Sequence, residues 1–112
     1  QTTAPITISG ALIEPPKSLK VASTVALLDF DLLSFPLIIR KWLPGDYFFP
    51  IGLNKKKKLS DFFIDNKFSP IEKENTWVLE NNKEIIWVIG ARISDNYKIS
   101  SNTKNCLKLS LC

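Results

Sequence analysis

The sequence predicts an α+β domain, a mostly antiparallel β-sheet or sandwich with one short helix at about residues 59–67. Three observations carry that prediction. Short runs rich in Val, Ile, Leu and aromatic residues recur along the chain, bounded by Pro, Gly, Asn or Asp. One segment, residues 59–67, spaces Leu59, Phe62, Phe63 and Asn66 as a helix would, three of the four apolar. The run IIWVI at residues 85–89 is apolar on both faces, as expected of a central strand covered on both sides.

Taken in order, residues 1–10 are polar and β-branched, with Ile6 and Ile8 alternating against Thr7 and Ser9. They read as a strand or as a tail pairing onto a sheet edge. Pro15 and Pro16 make residues 14–20 a linker, so residues 1–20 are assigned to a linker or tail from a preceding domain and residues 21–112 to the domain itself. Residues 21–28 read as a buried strand, broken by Asp29, Phe30 and Asp31. Pro36 introduces a second strand at residues 37–42. Residues 43–46 form a turn in which Pro44 presets φ and Gly45 supplies the positive φ of a type II turn. For the helix, Ser60 is the expected N-cap, Asp61 favours the dipole, and Pro70 stops continuation. Residues 77–79 and 85–89 form a hairpin around Asn81 and Asn82, which tolerate positive φ. Residues 96–100 and 107–111 are further short strands.

A chain of 112 residues with 45% hydrophobic content supports one compact domain. It begins with Gln, so it is expected to be a piece of a longer polypeptide. It has neither a secretory signal pattern nor an apolar run near the ~20 residues of a membrane helix. Cys106 and Cys112 would lie about 20 Å apart along a strand, too far for a disulfide. Without histidine they make no zinc site, and a reduced, cytoplasmic setting is the simpler reading.

The same absence of histidine removes the commonest general base. No glycine-rich phosphate loop is present. The clustered carboxylates are Asp46, Asp61 and Asp65. Their expected partners are the turn, the helix N-terminus and a lysine. A small hydrolase using Asp46 and Asp61 is the weaker alternative. The net charge is +4, and its placement matters more than its size. Lys55, Lys56, Lys57 and Lys58 are contiguous ammonium groups that repel one another, which points to an anionic partner, nucleic acid first. Together with Arg40 they are expected to form a single cationic surface. Tyr47 is the aromatic residue best suited to stack on a base, whereas Trp42 and the phenylalanines read as core. The other alternative is a protein-interaction or dimerisation module whose lysines aid solubility.

Several of these elements fall into a known pattern. They are Arg40, Gly45-Asp46, Pro50-Ile51-Gly52, Lys57-Lys58-Leu59, Phe63, Lys67, and the run from Trp87 to Ile93 through Gly90 and Arg92. In order and spacing, from about residue 37 to 93, the chain resembles the C-terminal domain of the tRNA(Ile)-lysidine synthetase family. These bacterial ligases attach lysine to an anticodon cytidine of an isoleucine tRNA. The chain departs from the pattern at Lys73, where the family has arginine, and at Lys67-Phe68-Ser69, where it has Lys-Ile-Pro. The resemblance implies an RNA-recognition domain that contacts the acceptor stem of tRNA(Ile), with a fold similar to a domain of the phenylalanyl-tRNA synthetase β subunit. It implies that ATP, with Mg, belongs to an N-terminal catalytic domain of the same polypeptide carrying a Ser-Gly-Gly-x-Asp-Ser loop. That loop is absent here, so this fragment is expected to be non-catalytic and to hold no cofactor or metal. The tRNA contacts it implies are Arg40, Lys57, Lys58, Lys67, Lys73 and Arg92. Lys55 and Lys56 are added from charge alone. A homodimer is an open alternative.

Overall fold

The computed structural model describes residues 6–18 and 21–112. Nine strands are described: β1 (Ile8–Ile13), β2 (Val25–Asp29), β3 (Ile38–Lys41), β4 (Tyr47–Phe48), β5 (Lys57–Lys58), β6 (Trp77–Asn81), β7 (Glu84–Val88), β8 (Arg92–Ile93) and β9 (Cys106–Leu111). Helices α1 (Leu59–Asp65) and α2 (Pro70–Glu74) follow β5 directly in the chain, and 3₁₀ turns occupy Phe30–Leu32 and Asp95–Tyr97. Every pairing is antiparallel. The strands form a three-stranded sheet β1-β9-β2, a four-stranded sheet β3-β6-β7-β8 and the ribbon β4-β5. No helix among the described residues is long and apolar enough to cross a membrane.

Strand alternation sorts the apolar residues into two layers. Ala26, Leu28, Leu107 and Leu109 of the first sheet pack against Leu79, Ile86 and Trp87 of the second. On the second sheet's other face, Val78, Ile85 and Val88 pack against Leu59, Phe62 and Phe63 of α1 and against Phe48. The four-stranded sheet is therefore covered on both sides, which is why its central strand β7 is apolar from Ile85 to Val88. A bulge assists. Leu79 pairs with Trp87 and Glu80 with Ile85, so Ile86 has no cross-strand partner. That extra residue sends Ile86 and Trp87 into the same layer.

Several local expectations change. β1 carries the strand or edge-pairing tail expected of residues 1–10 on to Ile13, and pairs with β9 from Ile8↔Leu111 to Ile13↔Cys106. β2 begins only at Val25, because the Val25 N–H closes a turn onto the Ala22 carbonyl at 2.9 Å. The hairpin turn is centred on Asn82 and Lys83, at φ 49° and 70°, one residue further on than expected. Two central residues of positive φ give the type I′ geometry that matches strand twist. There are two α-helices, not one. Lys58, not Ser60, occupies the N-cap of α1, and its side chain makes no capping bond. Pro70 does not merely end a helix; it begins α2. Ser69 Oγ accepts from the Glu72 N–H at 3.1 Å, and Glu72 Oε1 accepts from the Ser69 N–H at 2.8 Å, a complete capping box. Residues 96–100 are not a strand. Asp95–Tyr97 is a 3₁₀ turn capped by Ser94, and Lys98 makes one isolated bridge to Leu28.

A polar network ties this turn to the hairpin. The Ser34 N–H donates to Asn81 Oδ1 at 2.7 Å, Asn81 Nδ2 donates to the Tyr97 hydroxyl at 3.2 Å, and that hydroxyl donates to Glu84 Oε1 at 2.6 Å. Burial, with the bond to Glu84, pushes the Tyr97 phenol above its usual range. Tyr97→Phe leaves the buried Asn81 amide one partner short and is expected to cost about 1–2 kcal/mol in urea unfolding. An unchanged midpoint would show that the network contributes nothing to stability. Cys106 is buried and Cys112 exposed, and both are free.

Candidate nucleic-acid interface

The site is built on three short elements: the turn after β3, the β4-β5 ribbon, and the loop between them. At the turn, the Asp46 N–H closes onto the Leu43 carbonyl at 3.0 Å, and Gly45 takes φ 94°, as the Pro-Gly pair predicts. The Leu43 N–H in return donates to Asp46 Oδ2 at 2.7 Å. Arg40 then locks the turn to the sheet. Its Nη1 and Nη2 donate to the two Asp46 oxygens at 2.9 and 3.1 Å, and its Nε donates to Glu80 at 2.9 Å. Nη1 also reaches the Lys41 carbonyl at 3.1 Å. Burial opposes the Asp46 charge, but the Arg40 guanidinium and the Leu43 N–H outweigh it and hold the carboxyl below the usual carboxylate range.

This geometry corrects two expectations. Arg40 does not join the lysines as a free cation, because four of its five N–H groups are engaged within the protein. Nor does Asp46 act with Asp61 as a hydrolytic pair, since both Asp46 oxygens are committed to Arg40.

The lysine run is divided by the ribbon. Tyr47 pairs with Lys58 and Phe48 with Lys57, and directly opposed residues share a face. Lys58 therefore lies on the exposed Tyr47 side, and half-buried Lys57 on the side of buried Phe48. The Lys57 ammonium forms an ion pair with Asp65 of α1, the lysine partner expected for that carboxylate. Lys56 stands over the Tyr47 ring at 4.5 Å, and Lys55 is exposed. The single cationic surface expected from residues 55–58 and Arg40 is thus two faces, one of them partly neutralised. Lys67, exposed just past α1 at φ 56°, does not line the cleft described next. Neither does Lys73 in α2, whose carbonyl accepts from Trp42 Nε1 at 2.6 Å.

On the Lys57 side lies a cleft of about 310 Å³, bordered by Pro50, Gly52, Lys57, Phe62, Asp65 and Arg92. Its loop is fixed to the β8 region. The Asp95 N–H donates to the Phe49 carbonyl at 2.6 Å, and the Ile51 N–H to the Ile93 carbonyl at 3.0 Å. Lys98, at 2.8 Å, and the Gly52 N–H together hold the Asp95 carboxyl below its usual range. Gly52 sits at φ 85°, a conformation that L side chains rarely adopt. Arg92 is exposed, with its guanidinium 5.5 Å from the Phe62 ring centroid. Among the described residues no carboxylate pairs with it. Sequence reasoning did not select Pro50 and Gly52 as part of a site, although the Pro-x-Gly spacing was the available signal. The aromatic assignments agree with the structure: Phe48, Phe62 and Phe63 are buried, Trp42 packs against them, and Tyr47 is 48% exposed.

Comparison with known proteins bears on these same elements. Residues 37–111 match the family described as the TilS substrate C-terminal domain. The tRNA(Ile)-lysidine synthase of Parabacteroides distasonis is 49% identical over 83 residues, covering 74% of this chain and 19% of that protein. That of Bacteroides thetaiotaomicron is 42% identical over 82 residues, covering 73% and 19%. The chain thus spans about a fifth of the length of the curated relatives it matches. In fold it is similar to a crystal structure of a TilS C-terminal domain, with a TM-score of 0.78 and 23% identity over 93% of this chain and 81% of the other. It is also similar to an N-terminal fragment of the phenylalanyl-tRNA synthetase β subunit from Pyrococcus horikoshii. There the TM-score is 0.67 and the identity 15%, covering 78% of this chain and 27% of the other. The family match takes in Arg40, Asp46, Gly52, the lysines and Arg92, and extends through β9. By that match, the chain belongs to the TilS substrate C-terminal domain family.

Proposed function

We propose that this domain recognises RNA for a bacterial, cytoplasmic tRNA(Ile)-lysidine synthase, docking on the acceptor stem of tRNA(Ile). The observation that carries the reading is Arg92: an exposed guanidinium without a carboxylate partner among the described residues, across a cleft from Lys57. An A-form stem hides its base edges in a deep, narrow major groove, leaving mostly shape, phosphates and 2′-hydroxyls to be read. Arg92 offers a planar fork to a phosphate, and Lys57 adds charge that it shares with Asp65. Lys55, Lys56 and Lys58 supply the second, solvent-facing side. Arg40 holds the turn and does not itself bind phosphate. Lys67 and Lys73 enter only as peripheral contacts. The ATP- and Mg-dependent chemistry belongs to the rest of the polypeptide, and this domain supplies no catalytic group.

Titration with an RNA stem at several salt concentrations tests the proposal. Arg92→Ala and Lys58→Ala are each expected to weaken binding to many sequences alike and to reduce the salt slope by about one unit. Lys108→Ala, an exposed change on β9, is expected to leave both unchanged. Unaltered affinity and slope in Arg92→Ala would reject the interface.

A further inference from the structure

A second cavity, of about 250 Å³, adjoins the cationic cleft and shares Ile51 and Arg92 with it. Its lining is aliphatic at Val25, Leu27, Ile93 and Ile99, with Trp87 behind them. Polar groups are few: Ser23, Lys98 and Arg92. Lys98 is held by Asp95 at 2.8 Å, so the unneutralised charge lies on the Arg92 side, towards the cleft. A cavity below the roughly 300–1,000 Å³ of drug-sized sites takes one ring system and excludes a base pair. Aliphatic walls suit the faces of a flat heterocycle, while a sugar and phosphate must remain in water or meet a cation.

We infer that this cavity receives the base of one unpaired nucleotide adjoining a stem, with that nucleotide's phosphate at Arg92. The inference rests on the reading of the domain as a stem-binding module. It extends that reading from shape and charge to a single base. Unpaired nucleotides beside helices are the parts of an RNA whose bases can be turned outward and buried. Arg92, common to both spaces, links the two contacts.

The chain provides its own reporter. Trp87 is one of three tryptophans, is fully buried in the cavity wall, and has an indole N–H without a partner among the described residues. The ¹⁵N-labelled chain is titrated with a blunt RNA stem, with the same stem carrying a short single-stranded extension at either end, and with a mononucleotide. The Trp87 indole signal is assigned by its loss in Trp87→Phe. An extended stem is expected to bind roughly tenfold more tightly than the blunt one, as burial of one base would give, and to shift the Trp87 signal. Ala22→Trp, at the exposed mouth of the cavity, is expected to abolish that gain while leaving blunt-stem binding intact. Equal affinity for blunt and extended stems, with an unmoved signal, overturns the inference and leaves stem recognition standing. A signal moved by the mononucleotide, with no gain from either extension, overturns it in favour of a free-nucleotide site. Failure of any stem to bind overturns both readings.

Discussion

Phe63→Ala is expected to lower the unfolding free energy by about 3–5 kcal/mol. The ring is fully buried, with its centroid 4.9 Å from Trp42, 6.1 Å from Phe62 and 4.9 Å from Phe68. Truncation therefore opens a cavity among rings that are themselves fixed by other contacts. The effect reaches past the core because α1 has seven residues, too few to be stable as an isolated helix. Its position is set by the face that Leu59, Phe62 and Phe63 bury. Loosening that face frees Asp65 from Lys57 and moves one wall of the cleft, so RNA affinity should fall with stability. Ile64→Ala is the control. That side chain is 70% exposed, and its loss is expected to change stability by no more than about 0.5 kcal/mol. Chemical denaturation of both variants decides the matter: a loss below about 1 kcal/mol for Phe63→Ala would mean that α1 is held by something other than this cluster.

Arg40→Ala is expected to cost about 2–3 kcal/mol, because it leaves the Asp46 and Glu80 charges without a cation, Asp46 keeping only the Leu43 N–H. The figure stays below that of a fully buried pair because the side chain is 27% exposed and partly screened. Arg40→Lys restores the charge but not the two-pronged geometry, and should recover less than half of the loss. The pH dependence has a definite sign. The folded-state carboxyl of Asp46 lies below its ordinary value of 3.8. Its contribution is therefore complete above that value and disappears as pH falls through the lower folded-state value. Wild-type protein should lose this increment progressively as pH falls below 3.8, and the Arg40→Ala variant should already lack it at neutral pH. Urea titrations at neutral pH and at about pH 3 would show whether the gap between the two narrows in acid; a constant gap would contradict the linkage. Salt dependence separates this role from phosphate binding. Arg40→Ala should weaken RNA binding only through loss of structure, with the slope against salt retained.

Features specified by neighbours in the chain were legible from sequence. The Pro44-Gly45 turn, the β6-β7 hairpin, the buried β7 and the apolar face of α1 all depend on residues a few positions apart. α2 is equally local, but Pro70 by itself reads as a stop signal. The Ser-x-x-Glu spacing of Ser69 and Glu72 was the counter-signal, and proline is well suited to the first helical position. The fate of the charges was not legible, because it depends on partners distant in sequence. Arg40 meets Glu80 forty residues away. Lys57 meets Asp65 only once α1 has folded back beside β5. Four adjacent lysines look like one patch in a string of letters, yet a two-residue strand is enough to send neighbours to opposite faces. The continuation of β1 to Ile13 is not legible for a related reason: much of the strand is exposed, and its partner is the last strand of the chain.

The unmatched Ile86 marks a point in the middle of the molecule where β7 could lose a residue and keep its register. Swapping that residue for another aliphatic one keeps the parity of the chain. Excising it would leave Trp87 opposite Leu79 and Ile85 opposite Glu80 as neighbours in an unbroken ladder, with the other side chains of β7 still on the layers they fill. What goes is the buried aliphatic side chain itself and the carbonyl that accepts from the Ser94 N–H at 2.8 Å. A single-codon deletion here should behave as the loss of one core side chain, at a cost of about 2–5 kcal/mol, and not as a slipped strand.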